Sequence, residues 1–269
     1  MSYDLAVGRD AAQSDPLGHV PIQALPVTTL DMLKLAAVLL MVSDHLGLYF
    51  LDGNGWRIAG RPVAAIFGFL IGFSGKSRVP IAWIAMGLGL TLLAEHLDDD
   101  GNRPPLDVLI TLALTRVAVP ALDSLHRRNP LLLIIVAACL AGMTQWIQGY
   151  VDYGAEIAVA AIVGVAVRLN DHRATDHTAI AGTVLIAATT MSLLAIKTLE
   201  LSGTEAWATG TIIAATFLLL ALFRKAEVPG VPPRLRPGLR WIGRNTLAIY
   251  AVHLALFQIV VFAHSTWAT

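Results

Sequence analysis

Long apolar runs, each about as long as a bilayer is thick, alternate with short polar connections along most of the chain. From residue 30 onward the pattern predicts nine helical spans, near 30–50, 61–75, 79–96, 105–123, 130–148, 153–169, 179–199, 206–223 and 242–263. About 20 apolar residues cross a hydrocarbon core of roughly 30 Å as a helix. A helix also satisfies every backbone polar group internally, which lipid demands. The period-two alternation of a membrane barrel is absent. The expected fold class is therefore all-α, a polytopic membrane helix bundle of about nine transmembrane helices, forming one domain over residues 29–265. Residues 1–28 carry Asp4, Arg9, Asp10, Asp15 and scattered prolines without an apolar core, and read as a flexible cytoplasmic tail. Pro120 predicts a kink near the end of the fourth span.

Composition supports the membrane class. The chain of 269 residues is 56% hydrophobic and 14% charged, whereas soluble domains carry about 25% charged residues. Zero net charge gives no reason to expect a nucleic-acid partner; the expected partner is membrane lipid. The single cysteine, Cys139, allows no internal disulfide and reads as packing surface. Basic residues gather at alternate connections: Arg9 and Lys34, Lys76 and Arg78, Arg127 and Arg128, Arg168 and Arg173, then a cluster from Arg224 to Arg244. The opposite side has only Arg57, Arg61, Arg103 and Lys197, and also the acidic loop Asp98-Asp99-Asp100. The positive-inside rule then places the N-terminus in the cytoplasm and the chain in the inner (cytoplasmic) membrane as a multi-pass protein. The stretch Glu227–Gly238 is a proline-stiffened linker before the last span, and Gly68 and Gly72 have the spacing of a close helix-packing motif.

Ionisable groups inside apolar runs are costly and mark paired or functional positions. The first span carries Asp44-His45 in its second half, with Gly47 offering a small surface beside the imidazole. Asp31 and Lys34, a turn apart at its beginning, are spaced to pair. Arg61 opens the second span on the same side as His45, where it can pair with Asp44 or bind an anion, whereas Arg57 reads as an exposed interfacial residue. The connection GYVDYGAE is too short for a loose loop, so Asp152, Tyr153 and Glu156 sit where two helices meet. In the last span Thr246, Tyr250, His253 and Phe257 share a stripe, and Tyr250 is a candidate hydrogen-bond partner for His253. Arg244 and Asn245 begin that span, with Arg240 just before it, and Arg116 lies deep in the fourth. His96, His126, His172, His177 and His264 fall at span ends or in loops and read as interfacial. No HExxH or CxxC occurs, so no metal is expected, and no nucleotide-binding glycine motif is present.

The strings LDMLKLAAVLLMVSDHLG, GRPVAAIFGFLIGF, VDYGAE and LAIYAVHLALF, in that order from about Leu30 to Phe262, resemble the TraX family, the F-pilin N-acetylases. The resemblance implies a membrane acetyltransferase that uses acetyl-CoA to modify an amine or hydroxyl of a protein or glycan acceptor. On that reading His45 is the general base, Asp44 orients or balances it, and Arg61 with Tyr250 or His253 polarises the thioester carbonyl. Asp152, Tyr153 and Glu156 bind the acceptor. Lys34, Arg116, Arg240, Arg244 and Asn245 hold the donor's phosphates at the basic face. Two other classes remain open from the residues alone: a proton-coupled transporter, and a non-catalytic scaffold of a surface-structure assembly complex.

Overall fold

The computed structural model describes residues 26–97 and 105–267. Nearly all of the expected N-terminal tail, and the acidic loop with Arg103, lie outside the described residues. Ten helices follow one another among the described residues: α1 Thr29–Tyr49, α2 Gly55–Gly60, α3 Pro62–Ser74, α4 Ile81–Leu97, α5 Val108–Arg128, α6 Leu132–Ile147, α7 Glu156–Arg168, α8 Ala174–Thr198, α9 Gly203–Ala221 and α10 Arg236–Trp267. Among the described residues the only β pairing is two isolated bridges, Thr28 with Glu227 and Leu106 with Val151. Among the described residues six segments are long and apolar enough to cross a membrane: α1, α2 with α3, α5, α8, α9 and residues 236–264 of α10. The chain is an all-helical, multi-pass membrane protein. Its outward surface agrees, with Leu39, Leu92, Val117, Leu185 and Leu219 each more than half exposed. Such apolar exposure has no place in water.

The start of α1 illustrates how local chemistry sets an element. Thr28 caps it, and Asp31 closes a capping box by accepting from the Thr28 amide at 2.9 Å and its hydroxyl at 2.8 Å. Asp31 is thus engaged by its own helix start, and no ion pair joins it to Lys34 among the described residues. The second predicted span, 61–75, is α3, and a short helix that the pattern did not predict, α2, precedes it. The small α2 bends into α3 at Arg61, where Pro62 takes the first-turn position that needs no amide donor. At Pro120 the helix continues through to Arg128. The last helix begins at Arg236 and passes a non-helical kink at Asn245.

The bundle is built around α7. Only 13 residues long, it rises about 20 Å and is shorter than a bilayer core. Ile157 and Val159 to Val163 are fully buried, so α7 is apolar on every side because protein surrounds it. Its closest neighbour is α3, to which it runs parallel. A Cβ on Gly68 would lie 2.6 Å from Ala160 Cβ, and one on Gly72 would collide with the Ala161 carbonyl. From the other side Gly164 faces the Phe69 carbonyl in the same way. Glycine at these positions lets the two backbones touch. Arg168 seals the far end of the pair by donating through Nε to the Gly72 carbonyl at 3.1 Å and pairing with Asp123 of α5.

His126, expected at an interface, is buried at 2% exposure. Its Nε2 lies 3.1 Å from the Leu169 carbonyl and 3.6 Å from Asp176, joining the end of α5 to the α7–α8 connection. Cys139 is exposed on the outside of α6 instead of packing inward. The linker before α10 is paired, not free. Thr29 donates to the Ala226 carbonyl and Val228 to the Val27 carbonyl, both at 2.9 Å, strapping the linker to the start of α1.

Candidate functional site

Two polar regions lie on either side of a small cavity. The first is formed where α1 ends, α2 turns into α3, and the tight connection leads into α7. Asp44 is 3% exposed. It accepts from Arg61 Nη2 at 2.7 Å and 3.0 Å, one bond to each carboxylate oxygen. The expected pairing of Arg61 with Asp44 is therefore present. Room for it comes from two glycines. Gly60 lies against Asp44, where any Cβ would collide, and Gly47 lies against Trp56 and Arg57 of α2. Gly47 thus makes space for α2, not for the imidazole.

The connection between α6 and α7 is a rigid turn. Tyr153 and Gly154 both have positive φ, 60° and 50°, an unusual pair of conformations for which a tyrosine needs support. The Leu106 carbonyl accepts from the Asp152 amide at 2.8 Å, and Thr111 donates to the Asp152 carbonyl at 2.9 Å. The turn is thereby fixed to the start of α5. It delivers Asp152, Tyr153 and Glu156 to a cavity of about 190 Å³ also lined by Asp44, His45, Arg57, Arg61 and Gln148. Glu156 is 5% exposed and its carboxyl has no hydrogen-bond partner among the described residues. All three predicted acceptor-site residues therefore converge with Asp44, His45 and Arg61.

His45 is met from the side by α10. Its Nδ1 lies 2.6 Å from His253 Nε2, and His253 Nδ1 lies 2.9 Å from the Ile249 carbonyl. The Tyr250 hydroxyl is not the hydrogen-bond partner of His253. Its hydroxyl donates to Asp107 at 2.7 Å, and Asp107 also caps α5 by accepting from the Leu109 amide. Sequence reasoning missed Asp107 and undervalued Arg57. Both stand near helix ends, where polar residues are ordinary, so the sequence offered no signal beyond the capping position of Asp107.

The second region is a cavity of about 380 Å³ between the start of α1 and the helices α3, α4, α5 and α10. Lys34, Lys76, Arg116 and Arg244 line it. None of the four is in an ion pair among the described residues; Arg116 instead lies over the Trp83 ring, 4.7 Å from its centre. Arg240 and Asn245 are not part of this lining, and Asn245 donates to the Trp241 carbonyl of its own helix at 2.8 Å. A small apolar cavity of about 40 Å³ lies between the two regions. It shares Asp44, His45, Ala64, Asp152 and Tyr153 with the first, and Phe67, Leu112 and Leu247 with the second.

The family described as TraX protein matches residues 29–261, which takes in every side chain of both cavities. The chain belongs to the TraX family. A similar relative is the uncharacterized protein RP591 of Rickettsia prowazekii (strain Madrid E), 21% identical over 252 residues that cover 88% of this chain and 94% of the relative. No solved structure matches the chain. For this TraX-family chain, membership and the membrane-helical fold are thus in hand, and the chemistry has to be argued from the two cavities.

Proposed function

We propose that the chain is an integral membrane acetyltransferase of the inner membrane, N-terminus in the cytoplasm, that moves an acetyl group from acetyl-CoA to an amine or hydroxyl. The acceptor is membrane-associated or exported, a pilin N-terminus or a surface glycan. The observation that supports this best is the row of three adjoining cavities, basic at one end and carrying Asp44, His45 and Arg61 at the other. Lys34 and His45 both line the row and are eleven residues apart on one helix, about 16 Å at 1.5 Å per residue. The four cations would hold the donor's phosphates, and its narrow pantetheine arm would pass the apolar waist beside Leu247 and Phe67.

At the far end His45 takes the proton from the acceptor as its nitrogen or oxygen attacks the thioester carbon. The carbonyl becomes an oxyanion beside Arg61, the carbon–sulfur bond breaks, and the proton returns to the thiolate that leaves. Asp44 holds Arg61 in place, and the unpartnered Glu156 with Asp152 faces the acceptor. The test is acetyl transfer from radiolabelled acetyl-CoA by protein purified in detergent. His45→Ala is expected to lower the rate by about 10²–10⁴-fold, the usual contribution of a general base. Equal rates for His45→Ala and wild type would overturn the reading. Donor-independent solute uptake in proteoliposomes would point to transport instead.

A further inference from the structure

The contact between His45 and His253 contains more information than a hydrogen bond between two rings, because its far end is anchored to an atom that cannot donate. The Ile249 carbonyl oxygen only accepts, so the hydrogen in its 2.9 Å contact belongs to His253 Nδ1. A neutral imidazole carries one N–H, which leaves His253 Nε2 as a lone pair. His45 Nδ1 lies 2.6 Å from that lone pair and must bring the hydrogen. The hydrogen of neutral His45 is then on Nδ1, and its Nε2 carries the lone pair. Nε2 of His45 has no protein hydrogen bond among the described residues, while the ring lines the cavity with Asp44, Arg61, Asp152 and Glu156.

We propose that His253 is a positioning residue that fixes the tautomer and orientation of His45, through a relay running from the Ile249 carbonyl to His253, to His45, and into the cavity. The geometry of the relay stands without any activity; its catalytic consequence rests on the reading of His45 as general base. A base has to present a lone pair to the proton that it removes. The opposite tautomer would present an N–H to the acceptor and could not start the reaction. The role usually played by a carboxylate behind a catalytic histidine is thus filled by a second imidazole. A neutral partner suits this setting, since a carboxylate at that depth would need a further counter-charge. The short contact also holds the ring plane. His45 packs at 4.8 Å from the His253 ring, and Phe257 lies edge-on to His253 at 5.5 Å.

The experiment is ring-¹⁵N histidine NMR on the full-length protein in nanodiscs, with the His45 signals assigned by their loss in His45→Gln. Wild type is expected to show His45 with protonated Nδ1 and bare Nε2. His253→Leu removes the acceptor and is expected to move His45 to the Nε2–H form. His253→Gln keeps an acceptor oxygen and is expected to retain the wild-type form. In the transfer assay His253→Leu should lose about 10²-fold in turnover, within the range of a general base, with the KM for acetyl-CoA within twofold. His253→Gln should recover to within tenfold of wild type. An Nε2–H signal for His45 in wild type overturns the proposal without any variant. So does an unchanged His45 tautomer in His253→Leu, even if turnover falls. Should His253→Leu fail to fold, His253→Met serves as the flexible apolar replacement. If the tautomer results hold and wild type transfers no acetyl group, the acetyltransferase reading fails and the relay stands.

Discussion

Asp44 shows what a single buried carboxylate does when its partner is a planar fork. Arg61 reaches both of its oxygens from Nη2, so removing Asp44 strands a guanidinium in a part-buried site. Asp44→Ala is expected to destabilise the protein by about 3 kcal/mol, the scale of a broken buried pair, read as a fall in thermal midpoint in detergent. Asp44→Leu with Arg61→Met should recover most of that loss and none of the acetyl transfer, which separates the pair's structural and chemical roles. Tyr250 is a second case. Its hydroxyl hydrogen is committed to Asp107, so Tyr250→Phe should cost about 1–3 kcal/mol for the group left unpaired, with transfer reduced less than tenfold. Asp44 and His45 were legible in the sequence because they interrupt an apolar run, Arg61 because it opens a span on the side of His45, and Asp152 and Glu156 because their connection is too short for a loose loop. Asp107 and His126 were not, because polar groups at helix ends look the same whether they face water or an interior partner.

Between α3 and α7, helix pairing is decided by three glycines. Gly72→Ala places a methyl against the Ala161 carbonyl, a backbone atom that has no rotamer to escape into. The expected cost is about 2 kcal/mol, typical of overpacking. Gly142→Ala is the control: it meets open space on α6, where alanine's better helix propensity should leave stability unchanged or raise it by up to about 1 kcal/mol. The pair of variants, compared by thermal unfolding, isolates contact from propensity. At this scale hydrophobic periodicity located all the long helices, with ends displaced by up to six residues, as at the start of α10. It missed α2 because Gly-Trp-Arg-Ile-Ala-Gly is one and a half turns and lacks a run to read. It also read α7 as an ordinary span, since an apolar helix wrapped in protein and one wrapped in lipid have the same composition.

At the scale of the whole molecule, the adjoining cavities make the two ends of the bundle depend on each other. Leu247 lines both the waist and the basic cavity, so Leu247→Trp should obstruct the path and lower transfer by about tenfold, with donor binding to the basic end retained. Lys34→Ala with Arg244→Ala should act oppositely, weakening donor binding by tenfold or more per lost charge-assisted contact while His45 chemistry persists at saturation; isothermal titration alongside kinetics distinguishes the two. The residues at the two ends, Lys34, Arg116 and Arg244 at one and His45 at the other, were named from the sequence; the waist between them was not, because it depends on α1 lying beside α10, and nothing in the spacing of residues says which helices become neighbours. That adjacency also has a consequence for how the protein is made. His45 and His253 are 208 residues apart, so at 5–20 residues per second the ribosome needs roughly 10–40 s after His45 before it supplies the partner. Throughout that interval the first helix waits in the bilayer with an imidazole whose partner ring has not yet been made.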